Sequence, residues 1–436
     1  MTIPLSCYIH IPWCIRKCPY CDFNSYAITS CLPEQQYLEA LKQDLTIDAP
    51  LVQNGNLISI FIGGGTPSVF SAKTIAQLLD HIHQQFSFDP HIEITLESNP
   101  GTLDKKKLRG LRSAGINRLS IGIQSFQDNS LRQLNRIHSA KIGQQAIKDA
   151  LWAGYQNINI DLMYGLPHQT LDMALRDLTL ATEYPLTHLS WYQLTLEPNT
   201  LFATHPPILP NDEIIFDIQE AGYALLKKAH YQQYGISAFC QTGYSCLHNM
   251  NYWQFGDYLG IGAGAHSKLT KQTNIPLANE TSGIDTNRPE YFGFSARQRG
   301  ESNRHASTIH DCCEQRRQQS RKPKDEGYNR TRIIRSHKLD RPEDYLQGLQ
   351  THSFIADTRT LTDQEIPLEF MMNVLRLKQG VPLNYFQKRT GLPFSMIQEA
   401  LKKAQTEKFI RQNTKRLCPT KHGQLFLNDC LQIFMP

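Results

Sequence analysis

Between Leu5 and Thr195, short β-rich apolar runs alternate with longer stretches whose apolar positions recur at helical spacing. This is the signature of repeated βα units around a parallel sheet. Six strands are predicted: Leu5–Ile11, Leu57–Ile62, His91–Leu96, Asn117–Ile123, Asn157–Met163 and His188–Leu194. Each gap is long enough for a crossover helix, with Pro33–Leu45 and Lys141–Ala153 as two of the amphipathic stretches. The pattern does not separate an open sheet from a closed or partial barrel, but both present ligands at the carboxyl ends of their strands. After Gly264 the alternation stops. Lys271–Leu339 is poor in aliphatic residues and rich in Arg, Gln, Ser and Asn, with Arg316–Lys322 at its centre, and reads as a long flexible insertion. Periodicity returns at Leu368–Lys378. Pro382–Leu427 then reads as several short helices ending in a hairpin around Phe409–Pro419, a compact winged-helix-like domain. The expected division is a core over 1–270, a basic polar insertion over 271–338 and a helical domain over 339–436.

Composition narrows the class. A chain of 436 residues exceeds one average domain. With 40% hydrophobic and 19% charged residues it is neither collagen-like nor wholly disordered, and no apolar run approaches the roughly 20 residues of a membrane span. Met1–Ser6 shows no basic segment leading into an apolar one, so the cytoplasm is the expected compartment. The 11 cysteines then call for an explanation other than disulfides. Lys and Arg number 18 against 22 Asp and Glu over residues 1–270, 14 against 9 over 271–340, and 13 against 9 over 341–436. A nucleic-acid-binding protein is expected to carry a dense basic stripe. No nucleic-acid partner is expected, since the C-terminal excess is modest.

Cys14, Cys18 and Cys21 stand in the frame C-x3-C-x2-C just after the first strand. Three soft thiolates on one loop suit an iron–sulfur cluster. A structural zinc site would show four ligands, usually as two C-x2-C pairs, and no second pair lies nearby. Three thiolates leave one iron of a [4Fe–4S] cluster open to a small ligand. The other cysteines form no comparable frame.

Further along, the second strand runs into Gly63-Gly64-Gly65-Thr66-Pro67, where missing side chains let backbone approach a ligand closely. Other strands end in isolated polar residues: Glu97, Gln124 and Asp161. Singly, each reads more readily as a strand-end residue satisfying a loop. Together, at one barrel mouth, they form a site.

The cysteine frame and its surroundings resemble the radical S-adenosylmethionine family, in the branch that holds the anaerobic coproporphyrinogen III oxidases (HemN) and the haem chaperones (HemW). The resemblance runs from Leu5 to His266 and implies a partial (β/α)6 TIM-type barrel, α/β in class, with a small, mainly helical C-terminal domain. It implies a [4Fe–4S] cluster on Cys14, Cys18 and Cys21, whose open iron binds S-adenosylmethionine. An electron passed through such a cluster cleaves the sulfonium to methionine and a 5′-deoxyadenosyl radical. By motif, the residues similar to those contacting S-adenosylmethionine are Tyr8, Tyr20, Gly64, Gly65, Thr66, Glu97, Gln124, Arg136 and Asp161. Arg136 suits a carboxylate; Glu97 and Asp161 suit ribose hydroxyls or the sulfonium charge.

Two departures bear on the choice within the branch. The oxidases resemble C-x3-C-x2-C-x-C, and here the fourth cysteine's place is taken by Phe23; they also carry a longer region before the cluster, whereas 13 residues precede Cys14. Both point to the chaperone side. So does His248-Asn249-Met250-Asn251-Tyr252-Trp253, which matches the HNxxYW motif of that side, although a histidine near aromatics is more often a packed residue. An imidazole beside Tyr and Trp suits haem, as an axial ligand with an apolar wall. On the resemblance His248 is the leading haem ligand, with His266 and Met250 as weaker alternatives. The resemblance thus implies a haem carrier, with haem, a haem-acceptor protein and a flavodoxin-type electron donor as partners; the alternative is oxidative decarboxylation of coproporphyrinogen III. Whether the chain turns over a substrate as an enzyme stays open. The insertion reads either as a basic tether to an acidic partner or a peripheral membrane contact, or as an unselected loop, with the second preferred.

Overall fold

The computed structural model describes residues 3–52, 55–273, 330–411 and 415–436. Its centre is one sheet of twelve strands, β1 (Leu5–Ile11), β2 (Asn56–Gly64), β3 (Ser87–Ser98), β4 (Arg118–Gln124), β5 (Asn157–Tyr164), β6 (His188–Gln193), β7 (Gln232–Gln233), β8 (Ala238–Cys240), β9 (Asp257–Ile261), β10 (His266–Thr273), β11 (Arg330–Lys338) and β12 (Ile355–Thr360). Their order is β12-β11-β10-β9-β1-β2-β3-β4-β5-β6-β8-β7. Strands β1 to β6 are parallel in sequence order, and β9 adds parallel to the far side of β1. β8 joins β6 antiparallel and β10 joins β9 antiparallel. The fold is the expected partial barrel of six βα units, extended on both sides. All six predicted strands are present; the third starts four residues earlier than expected, at Ser87.

The crossover helices are α1 (Glu34–Asp48), α2 (Ala72–Gln85), α3 (Lys105–Ser113), α4 (Ala140–Trp152) and α5 (Leu171–Thr182), with α6 (Asp212–Lys228) after β6. Several begin at a side-chain cap: Ser71 accepts from the Thr74 N–H, Asp104 from Lys107, Ser139 from Ile142 and Thr170 from Met173. Each such cap is worth about 1 kcal/mol.

Period-two alternation splits every strand into two unlike faces. Leu5, Cys7, Ile9 and Ile11, with Ile60, Ile62, Leu119, Ile121, Ile158 and Ile160, belong to the main core beneath the helices. The intervening residues, Ser6, Tyr8 and His10 on β1, Glu93, Thr95 and Glu97 on β3, Asn159 and Asp161 on β5, turn the other way and line a polar interior. Helix α7 (Leu247–Trp253) packs on that interior face, where Asn251 Nδ2 donates to Ser6 Oγ at 2.9 Å.

The C-terminal domain has the expected character. Helix α8 (Pro342–Thr351) still packs on the main core through Tyr345, whereas α9 (Ile366–Val374) is followed by short helices at Tyr385–Thr390, Ser395–Thr406, Lys421–Leu425 and Leu427–Gln432, around a separate core of Phe370, Met371, Phe386, Ile397 and Leu417. Val381–Pro382 pairs with Arg416–Leu417, and Ile410 bridges Pro419 at the base of the expected hairpin. Residues 274–329, which carry most of the expected insertion including Arg316–Lys322, lie outside the described residues. The end of that segment is a strand, since β11 pairs with β12 and both extend the main sheet. The sheet therefore crosses the division expected at 338. Lys338, one of the charges that made the segment read as a solvated loop, is fully buried: its ammonium binds Asp44 and, at 2.7 Å, Asp48, both on α1. Among the described residues no helix is long and apolar enough to cross a membrane.

Candidate cofactor site

The loop after β1 is pinned at its base before it carries any chemistry. Trp13–Cys14 pairs with Tyr26–Ala27, and the Ile28 N–H donates to Cys14 O at 2.8 Å. Lys17 spans the loop from within, donating to Ser25 O at 2.9 Å and Phe23 O at 3.3 Å. Asn24 ties it to the rest of the mouth through Ala263 O at 3.0 Å and Asp340 O at 2.9 Å. Cys14, Cys18 and Cys21 stand close together: charge on Cys18 disfavours charge on both Cys14 and Cys21.

Each sulfur has a polar neighbour. Arg136 reaches Cys18 Sγ at 3.5 Å, Ser25 Oγ lies 3.7 Å from Cys21 Sγ, and the Thr66 hydroxyl bonds Cys14. Burial raises the pKa of Cys14 and Cys21, and these hydrogen bonds partly offset it. Three neighbouring thiols on one loop, each beside a group that can donate to its charged form, fit an iron–sulfur cluster, because bound iron holds a thiolate deprotonated. Phe23, in the place of a fourth cysteine, is 61% exposed. A shallow open cleft adjoins the loop, lined in part by Cys18, Thr66, Asn99, Thr102 and Arg136.

The polar strand ends meet at the same mouth. Glu97 accepts from the Gly64 N–H at 3.2 Å and its pKa rises to about 8, through burial first and the charge of Asp161 second. Burial raises Asp161 as well, offset by hydrogen bonds from Asn159, Ser190 and Ser120. Asn159 Nδ2 sits 2.9 Å and Ser120 Oγ 3.2 Å from the Asp161 carboxylate. Burial holds both carboxylates toward their protonated forms even though the Arg118 cation favours their charge, and at Glu97 the charge of Asp161 adds to it. Arg136, whose Nε is buried without a partner, provides a nearby unsatisfied cationic donor. The pair and the arginine fit a ligand that carries both a cation and a carboxylate, as S-adenosylmethionine does.

Local backbone explains the rest. A register shift between Gly122 and Gln124 interrupts the pairing of β4 with β5, and Gln124 adopts φ 68°, a strained value for a residue with a side chain. Its Oε1 accepts from Tyr192 at 2.8 Å. Gly64 has φ +114°, and a Cβ there would lie 2.7 Å from the His10 ring; one at Gly65 would lie 2.6 Å from Trp13 O. Contacts within the chain therefore already require both glycines. His10 is held at both nitrogens, Nδ1 by the Tyr8 hydroxyl at 2.9 Å and Nε2 by Asn24 O at 2.8 Å. Tyr20 packs on Phe202 with ring centroids 6.4 Å apart.

His248 lies deeper, on α7. It is 8% exposed, with its ring 4.9 Å from Phe61 and 6.2 Å from Tyr8, and its Nδ1 3.4 Å from Ser59 Oγ. Burial lowers its pKa to about 3, so the imidazole is neutral and its nitrogen lone pair is available to a metal. The structure does not gather the whole motif around it: Tyr252 stacks on Tyr258 at 4.6 Å and Trp253 packs on Tyr234 at 5.7 Å. Met250 packs toward the C-terminal core. His266 is exposed and lies parallel to His337 at 4.2 Å.

Cys14, Cys18 and Cys21 with Tyr8, Tyr20, Thr66, Glu97, Gln124, Arg136 and Asp161 thus share one end of the half-barrel. Sequence reasoning missed His10, Ser25, Tyr192 and the Asp161 holders Ser120, Asn159 and Ser190. Period-two spacing from Tyr8 and Asp161 singles out His10 and Asn159; Ser25 and Tyr192 carry no such signal.

Comparison with known proteins places these features in a wider set. The radical SAM superfamily profile matches residues 8–181 and the HemN C-terminal domain profile matches 361–426. The chain is 43% identical over 436 residues to the heme chaperone HemW of Haemophilus influenzae, covering 99% of this chain and 98% of that one. It is 38% identical over 432 residues to the heme chaperone HemW of Escherichia coli, with the same coverage. Among solved structures, the coproporphyrinogen III oxidase HemN of Escherichia coli superposes with a TM-score of 0.72 at 21% identity, covering 99% of this chain and 90% of that one, a likeness of fold.

Proposed function

Since the chain belongs to the HemW family of the radical S-adenosylmethionine superfamily, we propose that it is a haem chaperone, which binds haem and hands it to an acceptor protein. Its cofactors are a [4Fe–4S] cluster and S-adenosylmethionine, with haem as cargo. Similarity along the whole chain to proteins of that name carries the reading. Cys14, Cys18 and Cys21 hold the cluster, with Thr66, Arg136 and Ser25 donating to their sulfurs. Glu97 and Asp161 face the cationic part of S-adenosylmethionine, Arg136 its carboxylate, and Tyr8, Tyr20, Gly64, Gly65, Thr66 and Gln124 complete the pocket. A cluster with an open iron supplies electron transfer to the bound sulfonium. His248 presents a neutral imidazole to haem iron, and a flavodoxin-type donor reduces the cluster.

Coproporphyrinogen oxidation gains no support from Phe23, which leaves the mouth without the fourth cysteine of the oxidases. The test runs two anaerobic assays on cluster-reconstituted protein. Loaded with haem, it is expected to restore the absorbance of a haem-depleted b-type cytochrome; given coproporphyrinogen III, S-adenosylmethionine and dithionite, it is expected to form no vinyl-bearing product. Product formation without haem transfer would overturn the reading.

A further inference from the structure

The 18 cations of residues 1–270 are not spread evenly. Helix α3 with its cap Asp104 carries five Lys or Arg and one Asp, and α4 carries two Lys and one Asp. These two elements hold 7 of the 18 cations and 2 of the 22 anions, so the rest of that region holds 11 against 20. An outer wall of the half-barrel is basic, while the rest of the whole chain holds 38 cations against 38 anions. Such a field orients the molecule with this wall toward negative charge.

The wall also carries an aromatic residue that the core does not need. Trp152, at the end of α4, is 49% exposed, with the Arg109 guanidinium 3.9 Å and the Lys105 ammonium 4.8 Å from its ring centroid. The two cations come from α3, so the contact fixes the helices side by side. α3 buries Leu108 and Leu111 beneath, leaving Lys105, Lys106, Arg109 and Arg112 outward. On α4, Lys141, Ile142 and Lys148 are exposed, and Ile142 adds apolar surface. Two of the charges are partly spent: Lys107 donates to Ser68 O, and Lys105 lies 3.7 Å from Asp149.

We propose that the α3–α4 wall is a docking surface for an anionic phospholipid membrane, with Trp152 at the headgroup level and the surrounding cations on lipid phosphates. An indole between long cationic chains matches the interfacial arrangement of membrane-surface helices, in which apolar stems and rings face the acyl boundary and charges stay with the headgroups. A single nucleic-acid strand is held in a charged groove with stacking platforms. Here the cations stand on the outward faces of two helices, a geometry that meets a broad surface. This inference is independent of the haem reading, and it concerns a different element from the basic insertion.

The experiment is co-sedimentation of the full, cluster-reconstituted chain with phosphatidylcholine vesicles, with and without phosphatidylglycerol. Binding is expected only to the anionic vesicles, weakening as salt rises. Each cation near such a surface contributes about fivefold in affinity, so Lys106→Gln with Arg109→Gln lowers binding about thirtyfold. Lys402→Gln with Lys403→Gln, at equally exposed sites on a C-terminal helix, leaves it unchanged. The blue shift of tryptophan emission on vesicle binding is expected to diminish in Trp152→Phe. Equal binding to both vesicle types, full retention in the 106/109 variant, or binding of single-stranded RNA in place of vesicles would each overturn the proposal.

Discussion

Glu97 holds its proton into the neutral range because the protein surrounds it before any ligand does. Its folded pKa, about 8, lies above the ordinary carboxylate value, so its contribution to stability is complete below about pH 4.3 and is lost as pH climbs through the folded value. Urea unfolding of Glu97→Gln, which is neutral at every pH, is expected to lose that slope and to gain on the wild type above neutrality. The same ionisation serves a cationic ligand. S-adenosylmethionine is expected to bind the wild type about twentyfold more tightly at about pH 8.5 than at about pH 6.5, and Glu97→Gln with little pH dependence; equal pH profiles by calorimetry would contradict the pairing. Glu97 and Asp161 were legible in sequence because a lone carboxylate at a strand end stands out against apolar neighbours. Ser25 was not, since a serine gains meaning only when the loop folds it onto Cys21.

At the level of elements, the six βα units were legible because both of their periods lie within single segments. The antiparallel side of the sheet was not. β11 holds Ile333 and Ile334 among charged and polar residues, and Lys338 makes sense only beside Asp44 and Asp48, 294 and 290 positions away. That cluster also ties α8 and the turn after β9 to α1: the Tyr345 hydroxyl donates to Asp44 at 2.6 Å, and the Gly262 N–H lies 3.3 Å from the same oxygen. Removing one partner of a buried ion pair costs about 3 to 5 kcal/mol, because the other charge is left unpaired. Lys338→Met is expected to lower unfolding stability by that amount, measured by denaturant titration. A loss under about 1 kcal/mol would show that the aspartates bind protons or water at little cost.

Across the whole molecule, one half-barrel brings the cysteine loop, a buried carboxylate pair and a buried, neutral histidine to one interior, and the C-terminal core meets it through the far face of α7. Tyr8 is the common neighbour, bonded to His10 at the mouth and packed near His248 below. The sequence order of these residues was readable as motifs; their surroundings were not, since His248 packs on Phe61 and Tyr8 and not on Tyr252 and Trp253. The central claim is that this chain binds haem and that His248 supplies the contact. An anaerobic titration of cluster-reconstituted wild type and His248→Ala with haem, followed by absorbance, tests it most directly. Saturation near one haem per chain in the wild type, with weakened affinity or an altered spectrum in the variant, is the expected result; haem binding by neither, or identical curves for both, would contradict it.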